Sequence, residues 1–128
     1  MRNAEILLVE DNRDCEELAL RALRKAGYSE VAVARDGVEA LGMLLGNEGG
    51  APRSCAEESV VLLDLKLPKI DGIGVLTRIR GDERTKELKV FALSSSEDPK
   101  EIEGCQRLGV VAILPKPLDA VALKRWLS

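Results

Sequence analysis

Histidine is absent from this sequence of 128 residues, and that absence excludes several kinds of chemistry. Hydrolytic centres of the Ser–His–Asp and Cys–His types are excluded, and so are zinc and haem sites with histidine ligands. No phosphohistidine can form on the chain. Any reaction here must use carboxylates, hydroxyls, lysines, thiols or a group that a partner supplies.

Aromatic residues are nearly absent too, since they make up 2% of the chain. The core must therefore be aliphatic, and the chain lacks the aromatic platforms on which single-stranded nucleic acid stacks. A flavin carrier is disfavoured for the same reason, because nothing would enclose the flavin ring. The aromatic residues are Tyr28, Phe91 and Trp126.

Cysteines and long apolar runs are also scarce. Cys15, Cys55 and Cys105 are odd in number and form no CxxC pair, which favours reduced thiols and a cytoplasmic protein. The first apolar run, Ile6–Val9, is too short for a signal peptide. No later run approaches the ~20 apolar residues of a membrane span, so we expect no membrane insertion.

A large excess of one charge sign is missing as well. The chain has 22 acidic and 19 basic residues, which gives a net charge of −3. Bulk attraction to nucleic acid or to an anionic membrane surface is therefore not expected, and we predict no direct DNA binding.

Five short apolar runs alternate with longer amphipathic stretches along the chain. Most of the runs are rich in β-branched residues and lack period-two alternation, which is typical of parallel strands buried on both faces. The pattern predicts five βα units in one α/β domain over residues 1–128, a doubly wound sandwich with a parallel sheet. Residues 46–59 are expected to form a solvated loop. The runs are Ile6–Val9, Val31–Ala34, Val60–Leu63, Val90–Leu93 and Val110–Leu114.

Helix boundaries are indicated by capping residues and by apolar residues at helical spacing. The first helix carries an apolar stripe from Cys15 to Ala26 and is closed by Gly27. The second opens at Asp36 with Glu39 as its capping-box partner. The others are predicted to begin near Asp71, at Asp98-Pro99 with an end at Gly109, and at Asp119.

Polar residues follow four of the predicted strands. In open parallel sheets the ligand site lies at the carboxyl ends of the strands, so these side chains should meet. Carboxylates suit Mg²⁺ and can accept a phosphoryl group, while lysine and serine suit phosphate oxygens. Each residue alone is explained by a solvated turn or a helix cap, but together they favour a Mg²⁺ and phosphate site. The residues are Glu10, Asp11, Asp64, Ser94 and Lys116.

The segments that carry these residues resemble the four motifs of response-regulator receiver domains of two-component signalling. The segments are LLVEDN, VLLDLKLPKIDG, ALSSS and LPKP, and the resemblance extends over essentially the whole chain. It implies a flavodoxin-like (βα)5 three-layer sandwich with sheet order 2-1-3-4-5, as in single-domain chemotaxis regulators. The 46–59 loop is similar to inserts in small regulators that partner phytochrome-type kinases.

The resemblance also implies a role for each site residue. Asp64 would be the phosphoacceptor, and Ser94 would contact a phosphoryl oxygen after transfer. Asp11 would bind Mg²⁺ directly, Glu10 partly through water, and the backbone carbonyl of Lys66 would complete the protein ligands.

Lys116 would pair with another phosphoryl oxygen, and the family usually has a cis peptide bond at Lys116–Pro117. The implied function is that of a stand-alone regulator without an output domain, and not of an ordinary enzyme. It would take its phosphoryl group from a sensor histidine kinase or phosphotransfer protein and then change its contacts with a downstream protein. Docking of the kinase on the first helix is expected, as is a homodimer through the fourth and fifth helices if Trp126 is exposed.

Two features depart from the family pattern. Ile113 occupies the position where most receivers have Tyr or Phe, so we expect a packing shift of the fourth and fifth helices rather than an aromatic flip. Lys66 and Ser96 flank the path of attacking water and orient it poorly, which predicts slow to moderate self-dephosphorylation.

Two other functions remain open. A receiver-like module that binds partners without phosphorylation is opposed by the intact acceptor, metal and lysine positions. A Mg²⁺-dependent aspartyl phosphatase of the haloacid-dehalogenase type would need a carboxylate two residues after Asp64, where this chain has Lys66, and a cap domain.

Overall fold

Strands and helices alternate throughout the computed structural model, which describes residues 6–28, 31–45, 60–66, 71–83, 85–94, 98–116 and 118–127. The 46–59 loop, Ser96, Cys55 and Pro117 lie outside these residues. The elements are β1 (Ile6–Val9), α1 (Arg13–Lys25), β2 (Val31–Ala34), α2 (Gly37–Leu45), β3 (Val60–Asp64), α3 (Gly72–Arg80), β4 (Lys89–Ser94), α4 (Pro99–Arg107), β5 (Ala112–Pro115) and α5 (Ala120–Leu127).

The five strands form one parallel sheet in the order β2-β1-β3-β4-β5. This confirms the predicted α/β fold and its strand order. The order reverses at β1, which lies between β2 and β3, so the ends of β1 and β3 form the crevice where open α/β sheets bind ligands. Leu62 is paired with Phe91 and Asp64 with Leu93, which places the last residue of β3 beside the end of β4.

Apolar side chains of the central strands alternate between two layers of helices. Leu7 and Val9 belong to the cluster that includes buried residues of α2 and α3. Ile6 and Leu8 belong to the cluster on the other face, which includes residues of α1 and Leu123 of α5. Because both faces are covered, the strands are apolar at nearly every position, as the sequence pattern indicated.

Helix ends are defined by the side chains that the sequence predicted as caps. Asp71 Oδ1 accepts from Gly74 N–H at 2.8 Å, and Asp98 Oδ1 accepts from Lys100 N–H at 3.0 Å. Asp36 Oδ1 accepts from Glu39 N–H at 2.7 Å, while Glu39 Oε1 accepts from the N–H of Arg35, one residue before the cap. These bonds satisfy amides that the helices themselves cannot pair.

The last strand begins two residues later than its apolar run. Val110 N–H donates to Cys105 O and so closes the end of α4, while Val111 N–H donates to Val90 O ahead of β5. The first two residues of the apolar run, Val110 and Val111, therefore close the end of α4 and lead into β5, and they are not part of the strand. None of the helices in the described ranges has both the length and the apolar character needed to cross a bilayer.

Candidate functional site

Three acidic residues meet at the carboxyl ends of β1 and β3. Glu10 follows β1 and is 1% exposed, Asp64 ends β3 and is 4% exposed, and Asp11 is exposed. One carboxylate oxygen from each lies within 4.8 Å of the others. The structure thus brings together the three carboxylates that the strand ends predicted.

Glu10 is held between the sheet and the start of α1. Its N–H donates to Ala34 O at 2.9 Å, which continues the pairing of β1 with β2. Its Oε2 accepts from Asn12 N–H at 3.2 Å, and Asn12 Oδ1 in turn caps α1 by accepting from Cys15 N–H at 3.0 Å. Burial and these hydrogen bonds restrain the orientation of the Glu10 carboxylate.

Asp64 is oriented by the residues that follow it. Its Oδ1 accepts from Lys66 N–H at 3.0 Å, and Leu65 N–H donates to Leu93 O at 3.2 Å. Gly72, the first residue of α3, packs directly on this segment, because a Cβ there would lie 2.6 Å from Asp64 O and 2.5 Å from Leu65 Cα. Only glycine permits that approach. The importance of Gly72 was not predicted, although the KIDG segment contained it.

Lys116 joins two of the carboxylates. Its Nζ lies 3.0 Å from Glu10 Oε1 and 3.2 Å from Asp64 Oδ2. Its backbone N–H donates to Ser94 O at 3.2 Å, which extends the pairing of β4 with β5 to the site. The predicted lysine therefore contacts the predicted acceptor, and Ser94, which is partly buried, lies on the adjoining strand end.

The charges of the cluster shift the pKa values of its members. Burial raises the pKa of Glu10, and the nearby Asp64 adds to this, although the hydrogen bond from Lys116 acts in the opposite direction. Burial alone would lower the pKa of Lys116, but its hydrogen bond to Glu10 and the charge of Asp64 outweigh burial and raise it. Lys116 therefore stays cationic at neutral pH.

The donor set fits a hard divalent cation. The Lys116 ammonium contacts only two of the three carboxylates, so the cluster retains excess negative charge in a partly desolvated position. Its ligand atoms are all oxygen, which suits Mg²⁺ with several retained waters. Asp11 is exposed and provides the face through which such an ion would enter.

An apolar groove adjoins the site and was not predicted. A cavity of about 270 Å³ extends from Glu10 and Lys116 along α1 to Leu118. Leu18 and Leu118 also line a second cavity of about 600 Å³ between α1 and the start of α5. Leu18 belongs to the predicted apolar stripe of α1 but is 48% exposed. Apolar residues at helical spacing predict one side of a helix, but they do not show which of these residues will be covered by a neighbouring element.

The family model for the response regulator receiver domain matches residues 6–128. The chain belongs to this family. The match confirms the family that the four sequence motifs indicated.

Relatives of this receiver domain include regulators and solved receiver structures. It is 40% identical over 121 residues to the probable methanogenesis regulatory protein FilR2 of Methanothrix harundinacea, covering 94% of this chain and 76% of that protein. It is 40% identical to the bacteriophytochrome response regulator AtBRR, with a TM-score of 0.82 over 98% of this chain and 90% of that one. The receiver domain of a Pseudomonas aeruginosa sensor histidine kinase, 29% identical with a TM-score of 0.80 over 98% and 95% of the chains, has a magnesium ion coordinated in its active-site cleft.

Proposed function

We propose that this receiver domain accepts a phosphoryl group on Asp64 from the phosphohistidine of a sensor histidine kinase or phosphotransfer protein. The observation that carries the proposal is the contact of the Lys116 ammonium with both Glu10 and Asp64 beside the exposed Asp11. A buried nucleophilic carboxylate, a fixed cation and a group of oxygen ligands are the parts that phosphoryl transfer requires.

The transfer itself needs no proton from this chain. A carboxylate oxygen of Asp64 forms a bond to phosphorus while the P–N bond to the partner's imidazole breaks, and the electron pair of that bond returns to the imidazole nitrogen. Lys116 is already cationic and fixed near Asp64 Oδ2, so it offsets charge on the phosphoryl oxygens without rearrangement.

Glu10, Asp11, Asp64 and the backbone carbonyl of Lys66 would hold Mg²⁺. When bound, the ion would neutralise negative charge on the phosphoryl oxygens. Glu10 and Asp64 are buried at this proposed ion site, whereas Asp11 is exposed to solvent. Ion affinity should fall at acidic pH, because burial raises the pKa of Glu10 and protonation would remove a ligand.

Ser94 would connect the modified site to the surface. Its carbonyl accepts from the Lys116 N–H, so its strand end is already tied to one phosphate-binding residue. A hydrogen bond from its hydroxyl to a phosphoryl oxygen would draw the end of β4 inward and shift a two-state equilibrium. The phosphorylated form would then bind a downstream protein differently.

The groove along α1 is proposed as the docking site of the phosphodonor. It begins at Glu10 and Lys116 and is bordered by the exposed Leu18, so a partner helix lying there would reach the acceptor. Of the three acidic residues at the start of α1, Asp14 and Glu17 are exposed, whereas Glu16 is largely covered and pairs with Arg35 at 3.2 Å.

A homodimer through α4 and α5 is proposed from the exposure of Trp126. Trp126 is 46% exposed, and its ring contacts Phe91 edge-on, with ring centroids 6.0 Å apart. Substitution of Trp126 by Arg should shift sedimentation toward the monomer. Residues 1–128 are proposed to act in the cytoplasm as a receiver similar to AtBRR, which is matched over 90% of its length.

Intact-mass spectrometry after incubation with acetyl phosphate and Mg²⁺ tests the proposed function. The wild type should gain one phosphoryl group, and Asp64→Asn should gain none. A wild type that gains no mass while still binding its partners would favour a module that works without phosphorylation. Sustained phosphate release from many esters would instead favour the aspartyl phosphatase.

A further inference from the structure

The C-terminal end of α4 is firmly capped. Gly109 has a φ of +71°, and this left-handed turn lets the chain fold back over the helix end. The N–H groups of Leu108, Gly109 and Val110 donate to the carbonyls of Gly104, Gln106 and Cys105 at 3.0 to 3.2 Å. Carbonyls that a helix end usually leaves unpaired are thereby satisfied.

The guanidinium of Arg80, the last residue of α3, ties this end to two other elements. Nε donates to Leu108 O at 2.7 Å and Nη2 to Gly109 O at 3.0 Å, both just after α4. Nη1 donates to Lys86 O at 2.9 Å and Leu88 O at 2.7 Å, just before β4. Hydrogen bonds from a charged donor are stronger than neutral ones, so α3, α4 and β4 are joined at one point.

The middle of α4 packs closely on α3 and on the sheet. A Cβ at Gly104 would lie 3.2 Å from Ile73 Cδ1, so the two helices approach closely at that position. Cys105 is fully buried in a cluster with Leu65, the residue after Asp64, and with the partly buried Ile113. Ile113 therefore contributes packing near the middle of α4 rather than an aromatic ring that could change its position.

The N-terminal turn of α4 contains an unsatisfied group instead. Glu101 Oε1 is buried, and within the described part of the chain it finds no hydrogen-bond partner. A carboxylate oxygen removed from water without a donor is unfavourable, so movement that exposes Glu101 lowers the free energy of this turn. The cap bond from Lys100 N–H to Asp98 Oδ1 lies within the turn and moves with it.

We propose that Arg80 fixes the C-terminal end of α4 as a hinge, and that phosphorylation of Asp64 moves mainly the N-terminal turn that carries Glu101. This inference rests on the proposed function, because the inward displacement of Ser94 is its cause. Only residues 95–97 separate Ser94 from the cap residue Asp98, so a displacement of the end of β4 acts on that end of the helix. Arg80 is a positioning residue that touches neither the acceptor nor its ligands.

Hydrogen exchange read by mass spectrometry, with and without beryllofluoride and Mg²⁺, measures the movement in each half of α4. In the wild type, amides of residues 98–103 should change their exchange rate about threefold or more, while those of residues 104–110 should change little. In Arg80→Gln the change should extend into residues 104–110. Arg78→Gln, on an exposed neighbour in the same helix, should behave as the wild type does.

A second pair of variants tests Glu101. Glu101→Gln replaces the carboxylate, whose Oε1 is buried, with a neutral amide, and should slow exchange of residues 98–103 in the unmodified protein by about threefold. Glu103→Gln, which changes an exposed neighbour, should not. Equal behaviour of these two variants would remove Glu101 from the proposal.

Failure of this inference can be separated from failure of the proposed function. If acetyl phosphate adds a phosphoryl group to the wild type but exchange changes equally along α4, the hinge is wrong and the acceptor stands. If Arg80→Gln retains the wild-type pattern, Arg80 is not the hinge. If no phosphoryl group is gained, the proposed function fails first.

Discussion

At the scale of single residues, the orientation of Asp64 depends on a glycine from another element. Gly72 begins α3, and its N–H donates to Leu65 O at 3.0 Å. A side chain there would displace the backbone of Asp64 and Leu65, which are buried and cannot move far. Close approach between elements is a tertiary property, so the sequence showed the glycine without showing what it contacts.

Gly72→Ala is predicted to destabilise the fold by about 1–3 kcal/mol, because its Cβ would overlap backbone atoms. Gly81→Ala is the matched control. A Cβ at Gly81 would meet nothing closer than 3.4 Å, and its φ of −86° suits alanine. Urea unfolding measures both variants, and equal stability of the two would contradict this role of Gly72.

The thiol of Cys105 should make stability fall with rising pH. Burial raises the pKa of Cys105, and the charge of Glu101 adds to the shift. The folded thiol thus holds its proton at pH values where the unfolded thiol has lost it, so its stabilising contribution is complete below about pH 8.5 and is lost as the pH rises through the folded value.

Cys105→Ala removes this dependence. The free energy of unfolding of the wild type, relative to that of Cys105→Ala, should be constant near pH 7 and decline above about pH 8.5, by at most about 1.4 kcal/mol per pH unit. Cys15→Ala should leave the decline in place. A difference between wild type and Cys105→Ala that rises with pH would show the opposite sign and refute the assignment.

At the scale of elements, α1 has a side that is buried against the sheet and a side that borders the apolar groove. Ala19, Ala22 and Leu23 are buried against the sheet, whereas Leu18 is half-exposed at the groove that leads to Lys116. Asn12 connects the start of α1 to the acidic cluster, since its side chain caps the helix and its N–H donates to Glu10.

Leu18→Asp is predicted to reduce phosphotransfer from a histidine kinase about tenfold or more, because a buried apolar contact contributes at least ~1.4 kcal/mol to a docked complex. Phosphorylation by acetyl phosphate should not change, since that donor needs no docking surface. Val38→Asp, on a residue of α2 that is 50% exposed, is the control and should affect neither reaction. If Leu18→Asp lowers both reactions equally, α1 is not the docking element.

The elements also show what the sequence can predict. Strands β1 and β2 were predicted at their observed ends, because each is a continuous apolar run that is bounded by polar residues. The start of β5 was predicted two residues too early, because Val110 is apolar but completes the end of α4. The hydrogen bonds of Arg80 were not predicted either. They join residues distant in sequence, and no local pattern distinguishes this arginine from the exposed Arg78.

At the scale of the whole molecule, the sheet order accounts for the site. The reversal at β1 places Glu10 beside Asp64, and the parallel pairing through β4 to β5 brings Ser94 and Lys116 to the same edge. The sequence predicted these residues because each follows a strand. The distances that make them a site, such as the contacts of Lys116 Nζ with two carboxylates, depend on register and rotamers that only the structure provides.

The absence of histidine is consistent with a reaction shared between two proteins. In the proposed function, this chain would provide the carboxylate acceptor, the cation and the metal ligands of a phosphoryl transfer, and another protein would provide the imidazole donor. The small net charge of −3 is a poor guide to function, because the charge that matters is concentrated in Glu10, Asp11 and Asp64.

Asp64 is proposed to accept a phosphoryl group in a reaction that depends on Mg²⁺. The most direct measurement is peptide-resolved mass spectrometry of the chain after incubation with acetyl phosphate, with Mg²⁺ or with EDTA in excess. One phosphoryl group should form in the presence of Mg²⁺, on the peptide that contains Asp64, and none should form when EDTA is in excess. A phosphoryl group on another residue, or equal labelling in EDTA, would contradict it.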